Sequence, residues 1–318
     1  MITIACLWTA VSLGFAELPK DGLVGLMSGG IGVGSYVSLS LLPNGSAVAN
    51  PLAEDKESSV TSDSAMDAKN RLHYLFEDGF VLRHFNITAR AFSKQKYVDL
   101  DPCTGAGECV DELFWDPHRA ALLTVAMGLN GNNTIAKLDP TTGKLTALPH
   151  TNFPHLCGLV EGGSAYDSAA QTMYITLDCA VSGAPPGLTI YSFDVSDGAT
   201  SGSGLQVFFS AHIAGTDNVP GRLTFGKGSL LGFVYDATAK QNTLVTIEKN
   251  ITKTVANGIP DNIDTRTTSV SPHNVLYAIS GIGDSSKVVA VDLDTKQVVV
   301  AAITQLSDST YITQLRAY

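Results

Sequence analysis

The chain has 318 residues, 44% of them hydrophobic and 16% charged, a composition that supports a large buried core and is too apolar for a disordered chain. Its 30 acidic and 20 basic residues give a formal charge of -10 and a pI near 5.0, with no run of lysine or arginine. Binding to nucleic acid needs clustered positive charge, so the sequence argues against a nucleic-acid partner.

The chain begins with an apolar run over residues 2–16, and small residues precede a cleavage point after Ala16. This pattern predicts a signal peptide over residues 1–16 and a single domain over residues 17–318. The run is shorter than the roughly 20 apolar residues of a spanning helix, and no later segment qualifies, so no membrane span is expected. The alternative is an ordinary buried strand, because no lysine or arginine precedes Lys20.

Groups of four short apolar strands, separated by turns, recur about every fifty residues along the chain. The clearest group has strands at 110–115, 121–127, 134–138 and 144–148. Four strands per repeat are typical of a propeller blade, so we expect an all-β propeller. Aspartates in the outer turns are expected to accept backbone N–H bonds, which makes them structural. These residues are Asp139, Asp194, Asp292 and Asp294.

The two ends of the chain predict how the ring closes. Residues 23–27, 36–41 and 47–49 supply three strands before the second group begins, and residues 309–316 form a lone strand at the end. Pairing the lone strand with the first three completes one blade and removes exposed sheet edges. The count is then six blades. The alternative of seven blades requires the segment 180–213 to be divided into more strands.

Four cysteines follow the predicted signal peptide, and an even number in an exported chain favours disulfides. If residues 167–170 are the turn of a hairpin, Cys157 and Cys179 lie opposite each other at disulfide distance. Cys103 and Cys109 then close a short glycine-containing loop. A metal site is the alternative, but the short spacings typical of zinc ligands are missing from the sequence.

Four Asn-x-Ser/Thr sequons are consistent with a secreted glycoprotein. Three of them fall in or beside predicted turns, and Asn86 lies within a predicted strand. The four sites are Asn44, Asn86, Asn132 and Asn250.

The repeat resembles the broad superfamily of secreted or periplasmic propellers of the quinoprotein-like and NHL-like kind. The resemblance covers the mature chain and carries no active site over to it. The sequence lacks the Gly-His and Trp-Asp pattern of WD40 blades, since Trp115-Asp116 stands alone.

In a propeller, the innermost strands line an axial channel, and the loops that enter them form one mouth of it. Alignment of the inner strands on their turns places a set of charged residues near that mouth. The set is Asp63, Asp111, Glu112, His155, Glu161, Arg222, Asp264 and Arg266. Asp63, Glu112 and Glu161 would suit a calcium ion, the one cofactor that these residues suggest. In the alternative interpretation, Asp111 and Glu161 are hydrated or pair with Arg222 and Arg266.

The leading hypothesis is a secreted, disulfide-stabilised glycoprotein propeller that binds a small molecule, a glycan or an extracellular protein at its channel mouth. Enzymatic activity is left open: the second hypothesis is a calcium-assisted lactonase, esterase or lyase with its site on the axis. The third is an extracellular structural protein, for which a plugged channel and an exposed apolar patch would be the signs. The fold by itself does not choose among these functions.

Overall fold

The computed structural model describes most of the predicted mature chain. The described residues are 21–29, 34–55, 61–101, 103, 109–154, 157–179, 188–200, 206–210, 220–264, 267–304, 306 and 310–318. They form β-strands joined by turns, with one 3-10 turn at Gly283–Ser285. The predicted signal peptide lies outside this part of the chain. Within it, no helix is long and apolar enough to cross a membrane.

The strands follow one another along the chain in groups of three to five. The first two groups are β1 (Leu23–Gly29), β2 (Gly34–Leu41) and β3 (Ser46–Asp55), then β4 (Thr61–Asp67), β5 (Leu72–Glu77), β6 (Val81–Asn86), β7 (Ala91–Phe92) and β8 (Lys96–Tyr97). The next two are β9 (Val110–Asp116), β10 (Ala121–Leu129), β11 (Asn132–Leu138) and β12 (Leu145–Ala147), then β13 (Cys157–Asp167), β14 (Thr172–Cys179), β15 (Leu188–Asp194) and β16 (Gln206–Ser210). The last strands are β17 (Gly221–Gly226), β18 (Ser229–Asp236), β19 (Gln241–Glu248), β20 (Ile251–Pro260), β21 (Ser269–Val270), β22 (Val275–Ser280), β23 (Lys287–Asp292), β24 (Val298–Thr304) and β25 (Thr310–Ala317).

Within each group the strands pair antiparallel with their neighbours in sequence, except that β8 pairs with β6 and not with β7. Strands β9–β12, β13–β16 and β17–β20 form three four-stranded sheets, and β4–β8 form a five-stranded one. Strands β21–β24 belong to an eight-stranded sheet, where a parallel contact between β24 and β3 joins them to β3, β2, β1 and β25. The segment 188–210 adds only β15 and β16 to its sheet among the described residues.

The chain ends meet as the sequence predicts. Strand β25 pairs antiparallel with β1, from Leu23 opposite Ala317 to Gly29 opposite Thr310. The innermost strands contact one another in the order β25, β4, β9, β13, β17 and β21, and β21 contacts β25 again. This closed series of contacts gives the chain an all-β, propeller-like fold, in which the last strand of the chain joins its first strands.

The hydrophobic core lies between neighbouring sheets. One cluster joins Phe76 and Leu82 of the second sheet to Leu122 and Leu138 of the next, and each of the four is at most 1% exposed. Side chains alternate between the faces of a strand, so each sheet contributes to a cluster on both sides. Burying one such leucine or phenylalanine contributes about 1.5–3 kcal/mol to stability.

Three of the four outer-turn aspartates accept backbone N–H bonds, as the sequence predicts. Asp139 Oδ1 accepts the backbone N–H groups of Thr141 and Thr142 at 2.7 and 3.2 Å. Asp194 and Asp292 make the same kind of bond within their own turns. The expectation is wrong for Asp294, whose carboxylate instead binds side chains. Its partners are Lys227 Nζ at 2.5 Å and Asn274 Nδ2 at 3.3 Å.

Both predicted disulfides are confirmed. Cys157 and Cys179 lie directly opposite each other on β13 and β14, with their Cα atoms 4.1 Å apart. Cys103 and Cys109 are bonded across six positions of sequence, with Cα atoms 6.0 Å apart. The Cys157–Cys179 disulfide links the two inner strands of a sheet. The Cys103–Cys109 disulfide closes the short loop that leads into β9.

The two disulfides should differ in their effect on stability. Loop-closure entropy predicts that Cys157→Ser with Cys179→Ser lowers the free energy of unfolding by about 3 kcal/mol, against about 2 kcal/mol for the shorter Cys103–Cys109 loop. Denaturant unfolding of the two double variants, each compared with the parent protein, measures this. A larger loss from the Cys103–Cys109 pair would contradict the expected order.

Candidate functional site

A cavity of about 690 Å³ lies where the innermost strands converge. Its lining includes residues of β4, β9, β13, β17, β21 and β25. The cavity reaches the turns that follow inner strands, at Ala68, Ser168, Lys227 and Asn274. The sequence predicts the channel mouth at the opposite end, in the loops that enter the inner strands. Those loops lie largely outside the described residues.

The structure brings together four of the five carboxylates that the sequence predicts for the channel. Asp63, Asp111, Glu112 and Glu161 all line the cavity. Asp63 Oδ1 accepts the N–H of Ser64 at 2.6 Å, and its Oδ2 accepts the N–H of Leu113 on the neighbouring strand β9. Asp63 therefore links two innermost strands while its side chain faces the cavity.

Bulges in the innermost strands set the positions of these side chains. The pairing of β9 with β10 shifts between Leu113 and Asp111, and Glu112 between them has a φ of 56°. Similar register shifts accompany positive φ values at Gly162, Arg222 and Gln314. A bulge bends its strand and redirects a side chain, and a non-glycine residue in this conformation costs on the order of 1 kcal/mol.

The two carboxylates deepest in the cavity are difficult to ionise. Burial raises the pKa of Asp63 to about 6, although Arg316 and the two backbone N–H bonds act in the opposite direction. Burial also raises the pKa of Glu112 well above its ordinary value, and the nearby Asp63 and Asp111 raise it further. Ionisation of these two carboxylates therefore costs free energy, and a nearby positive charge would reduce that cost.

Arg316 is the cation of this cluster, and the sequence analysis did not name it. Its Nη2 donates to the carbonyl oxygen of Ser64 at 2.6 Å and lies 3.6 Å from Asp63 Oδ1. Its Nη1 donates to the carbonyl oxygen of Leu315 at 2.8 Å. Burial lowers the pKa of Arg316, while Asp63 and Glu112 raise it. The signal was present, because Arg316 lies on the lone strand predicted to be innermost in the closing sheet.

The other predicted site residues are not brought into this cavity among the described residues. Arg222 lines a separate groove of about 980 Å³ together with Tyr235 and Asp236. Burial lowers the pKa of Arg222, and the charge of Asp264 raises it, so Asp264 is its electrostatic neighbour. His155 and Arg266 lie outside the described residues.

The described residues contain no group of three His, Cys, Asp or Glu side chains arranged to hold a metal ion. Asp63, Glu112 and Glu161 share the cavity, but both oxygens of Asp63 already accept backbone N–H bonds. The calcium site at these three residues stays a prediction, which the calcium experiment below tests.

The raised pKa values predict how stability changes with pH. A group whose pKa is higher in the folded protein stabilises it fully at low pH, and that contribution is lost as the pH rises from the unfolded value, about 4, through the folded value. For Asp63 the window is about pH 4 to 6, and the loss is about 3 kcal/mol. Glu112 contributes with the same sign.

We therefore expect the melting temperature of the parent protein to fall more steeply between pH 4.5 and 7.5 than that of Asp63→Asn. Glu248→Gln is the control, because Glu248 is 53% exposed and lies on an outer hairpin. Parallel thermal melts across this range measure the difference in slope. Identical slopes for the parent and Asp63→Asn would show that Asp63 titrates normally.

Comparisons with known proteins identify the fold only. No family model matches the chain, and no curated protein matches it. Among solved structures, TolB from Acinetobacter baumannii aligns with 93% of this chain at a TM-score of 0.59 and 11% identity. A protein assigned as TolB from Agrobacterium tumefaciens aligns with 94% of it at a TM-score of 0.54 and 9% identity.

The chain spans 66% of the first of these structures and 99% of the second. At such low identity the likeness supports a β-propeller-like fold and no activity. It agrees with the broad propeller superfamily suggested by the sequence and adds no narrower family. The two disulfides are compatible with a location outside the cytoplasm.

Proposed function

We propose that this protein is a secreted, disulfide-bonded six-bladed propeller that binds a ligand in its axial channel. The observation that carries the proposal is a cavity lined by every innermost strand of the closed series, with four carboxylates and Arg316 among its lining residues. Ligand sites favour concavities where several elements converge and a few polar groups are aimed inward. The proposed count of six treats the eight-stranded sheet as two blades that meet at the parallel β24–β3 contact.

Secretion and glycosylation are part of the same proposal. Asn44 and Asn132 are exposed, so a glycan on either would project into solvent. Asn86 and Asn250 are half-buried, and their Oδ1 atoms accept the N–H groups of Ala89 and Ser210. We expect the first two sequons to be the better acceptors, which peptide mapping of the secreted protein before and after glycan removal would measure.

The channel contains its own fluorescent reporter. Trp115 lines the cavity and stacks on Tyr74, with ring centroids 5.3 Å apart. The only other tryptophan in the sequence is Trp8, in the predicted signal peptide, so Trp8→Phe provides a chain with one reporter. A ligand that enters the channel should change the emission of Trp115 and raise the melting temperature.

The binding test uses a panel of amines, carboxylates, neutral sugars and short peptides with a plug variant and its control. Ala68→Trp places a large side chain at the exposed rim of the cavity, whereas Ala89→Trp places one on an exposed turn that does not line it. We expect at least one class to raise the melting temperature of Ala89→Trp and not that of Ala68→Trp. Equal responses in the two variants, or no response to any class, would contradict channel binding.

Calcium tests the enzyme alternative, which needs an axial metal ion. Thermal melts in EDTA and then in added calcium would show a reversible rise in melting temperature if the channel holds the ion. Loss of that rise in Asp63→Asn, with retention in Glu248→Gln, would justify assays with esters and lactones. The absence of a shift would leave ligand binding without a metal. The structural-protein hypothesis stays a prediction, which a response of Trp115 to a ligand would weaken.

A further inference from the structure

We propose that the ligand of this channel is an organic cation, an ammonium or guanidinium group at the end of a slender chain. The inference rests on the channel-binding function proposed above and adds the chemical class of the ligand. It follows from the charged residues that line the cavity, from a buried hydroxyl in the same lining and from the length and aromatic residues of its walls.

The charges that line the cavity are unequal in number. Among the described residues, its lining contains four carboxylates and two cations, Arg316 and Lys227. Lys227 lies at the rim, where its Nζ donates to the carbonyl oxygen of Leu293 at 3.0 Å and to Asp294 at 2.5 Å. Arg316 Nη2 is 3.6 Å from Asp63 Oδ1. The charges of Asp63 and Asp111 both disfavour ionisation of Glu112. A further positive charge here would reduce the repulsion among the carboxylates.

Ser164 provides a second observation. It lines the same cavity, is 3% exposed, and its hydroxyl has no hydrogen-bond partner within the described part of the chain. A buried hydroxyl normally has a partner, and its absence calls for an explanation such as a water or ligand. A serine oxygen can accept a hydrogen bond from an ammonium or guanidinium group. Ser164 therefore adds a neutral acceptor to the lining of the cavity.

Between the carboxylates and the rim, the cavity is long and has aromatic side chains in its walls. Strand β4 runs from Asp63 at the cluster to Ala68 at the turn, a distance of about 16 Å at the usual rise per residue. Aromatic side chains line this stretch, and their faces attract cations. These residues are Phe114, Trp115, Tyr166 and Phe225.

Two kinds of molecule share this chemistry. A free linear polyamine could span the distance by itself, and a lysine or arginine could reach the cluster at the tip of an inserted peptide segment. Both present a terminal cation on a slender stem, so both would use the same carboxylates.

Titration of the Trp8→Phe protein with a linear aliphatic tetraamine tests the proposal. We expect saturable quenching or enhancement of the Trp115 emission and a rise in melting temperature. The neutral diol of the same length and the corresponding dicarboxylate are the probes for other chemistry. Glu112→Gln and Asp111→Asn, each introduced separately, should weaken the binding of the tetraamine about tenfold or more, because each removes a carboxylate that can carry negative charge beside the bound cation. Glu248→Gln should bind it as the parent does.

Each result bears on the proposal. Preference for the tetraamine that is lost in the two cluster variants would support an organic-cation site. Equal or tighter binding of the diol or dicarboxylate, with the rise in melting temperature blocked by Ala68→Trp, would overturn the cation while leaving channel binding in place. Tetraamine binding that is unchanged in Glu112→Gln and Asp111→Asn would overturn the assignment of the cluster. A channel that responds to none of the three probes would also overturn the organic-cation proposal. The wider ligand panel would then decide whether the channel binds any ligand.

The source of the cation is resolved by a second titration. A hexapeptide with one central lysine is compared with the same peptide carrying Nε-acetyl-lysine. Binding of the lysine peptide alone, more tightly than the tetraamine, indicates a protein segment as the natural ligand. Tighter binding of the tetraamine indicates a free polyamine. Equal binding of the lysine and acetyl-lysine peptides, by a route that Ala68→Trp blocks, contradicts recognition of the cation.

Discussion

Replacing Arg83 with methionine should lower the free energy of unfolding by about 3 to 5 kcal/mol, or roughly 10 °C in melting temperature. Arg83 lies on β6, and its guanidinium is buried between two carboxylates. Its Nε and Nη2 are 2.7 and 2.6 Å from Glu77 Oε1, and its Nη1 donates to Asp55 Oδ1 at 3.0 Å. Arg83 Cζ also lies 4.4 Å from the centre of the Phe92 ring.

The loss is large because all three charged groups are buried. The side chains of Arg83, Asp55 and Glu77 are 2%, 7% and 0% exposed. Removal of the guanidinium leaves two carboxylates away from water without this cation, and that penalty exceeds the attraction that a surface ion pair supplies. Asp55 belongs to β3, so the network also joins the sheet that contains the chain ends to the sheet that follows it.

Two further variants separate charge from packing. Lys253→Met breaks an exposed ion pair with Glu248 and should cost no more than about 1 kcal/mol. Addition of Asp55→Asn and Glu77→Gln to Arg83→Met should restore part of the lost stability, because the buried carboxylates are then neutral. Chemical denaturation of all four proteins measures this. A loss for Arg83→Met as small as that for Lys253→Met would contradict a buried network.

Replacing Leu315 with aspartate should abolish cooperative folding. Leu315 is 0% exposed on β25, in a cluster with Leu23, Tyr277 and Ile312. The change removes the packing of a buried leucine, about 2 to 5 kcal/mol, and adds an unpaired carboxylate to an apolar cluster, which costs several kcal/mol more. Their sum approaches the whole stability of a typical domain, about 5 to 15 kcal/mol.

Tyr311→Asp is the matched control on the same strand. Tyr311 is 44% exposed, so a carboxylate there stays hydrated and the melting temperature should change little. Leu315→Ala, expected to cost about 3 kcal/mol, keeps the effect measurable if the aspartate variant does not accumulate. Thermal melts of Leu315→Ala and Tyr311→Asp that coincide would show that β25 does not close the fold through its buried face.

The sequence predicted most of the strand pairing because turns and alternation are local signals. A hairpin centred on residues 167–170 placed Cys157 opposite Cys179, and the structure has that pairing. The lone strand at the C-terminus could be paired with the N-terminal strands because both sheet edges needed a partner. The role of Asp294 was not predictable, because its partner Lys227 is distant in sequence and belongs to another sheet.

The site was predicted only in part, and for a physical reason. Alternation along a strand selects which residues of β4 and β9 face inward, which is why Asp63 and Asp111 were found. Bulges interrupt that alternation, so the direction of Arg222 could not be derived from its position in the strand. Arg316 was not predicted, because a bulge at Gln314 interrupts the alternation of β25 just before it.

The most direct test of an organic-cation channel is a crystal structure of the secreted protein with the linear tetraamine bound. We predict an elongated molecule along the channel with one terminal nitrogen within hydrogen-bonding distance, about 3 Å, of the carboxylates of Glu112 or Asp63. The rest of the chain should pass Trp115 toward the turn at Ala68. A tetraamine bound only on the outer surface, or a channel filled by the protein's own loops, would contradict the proposal.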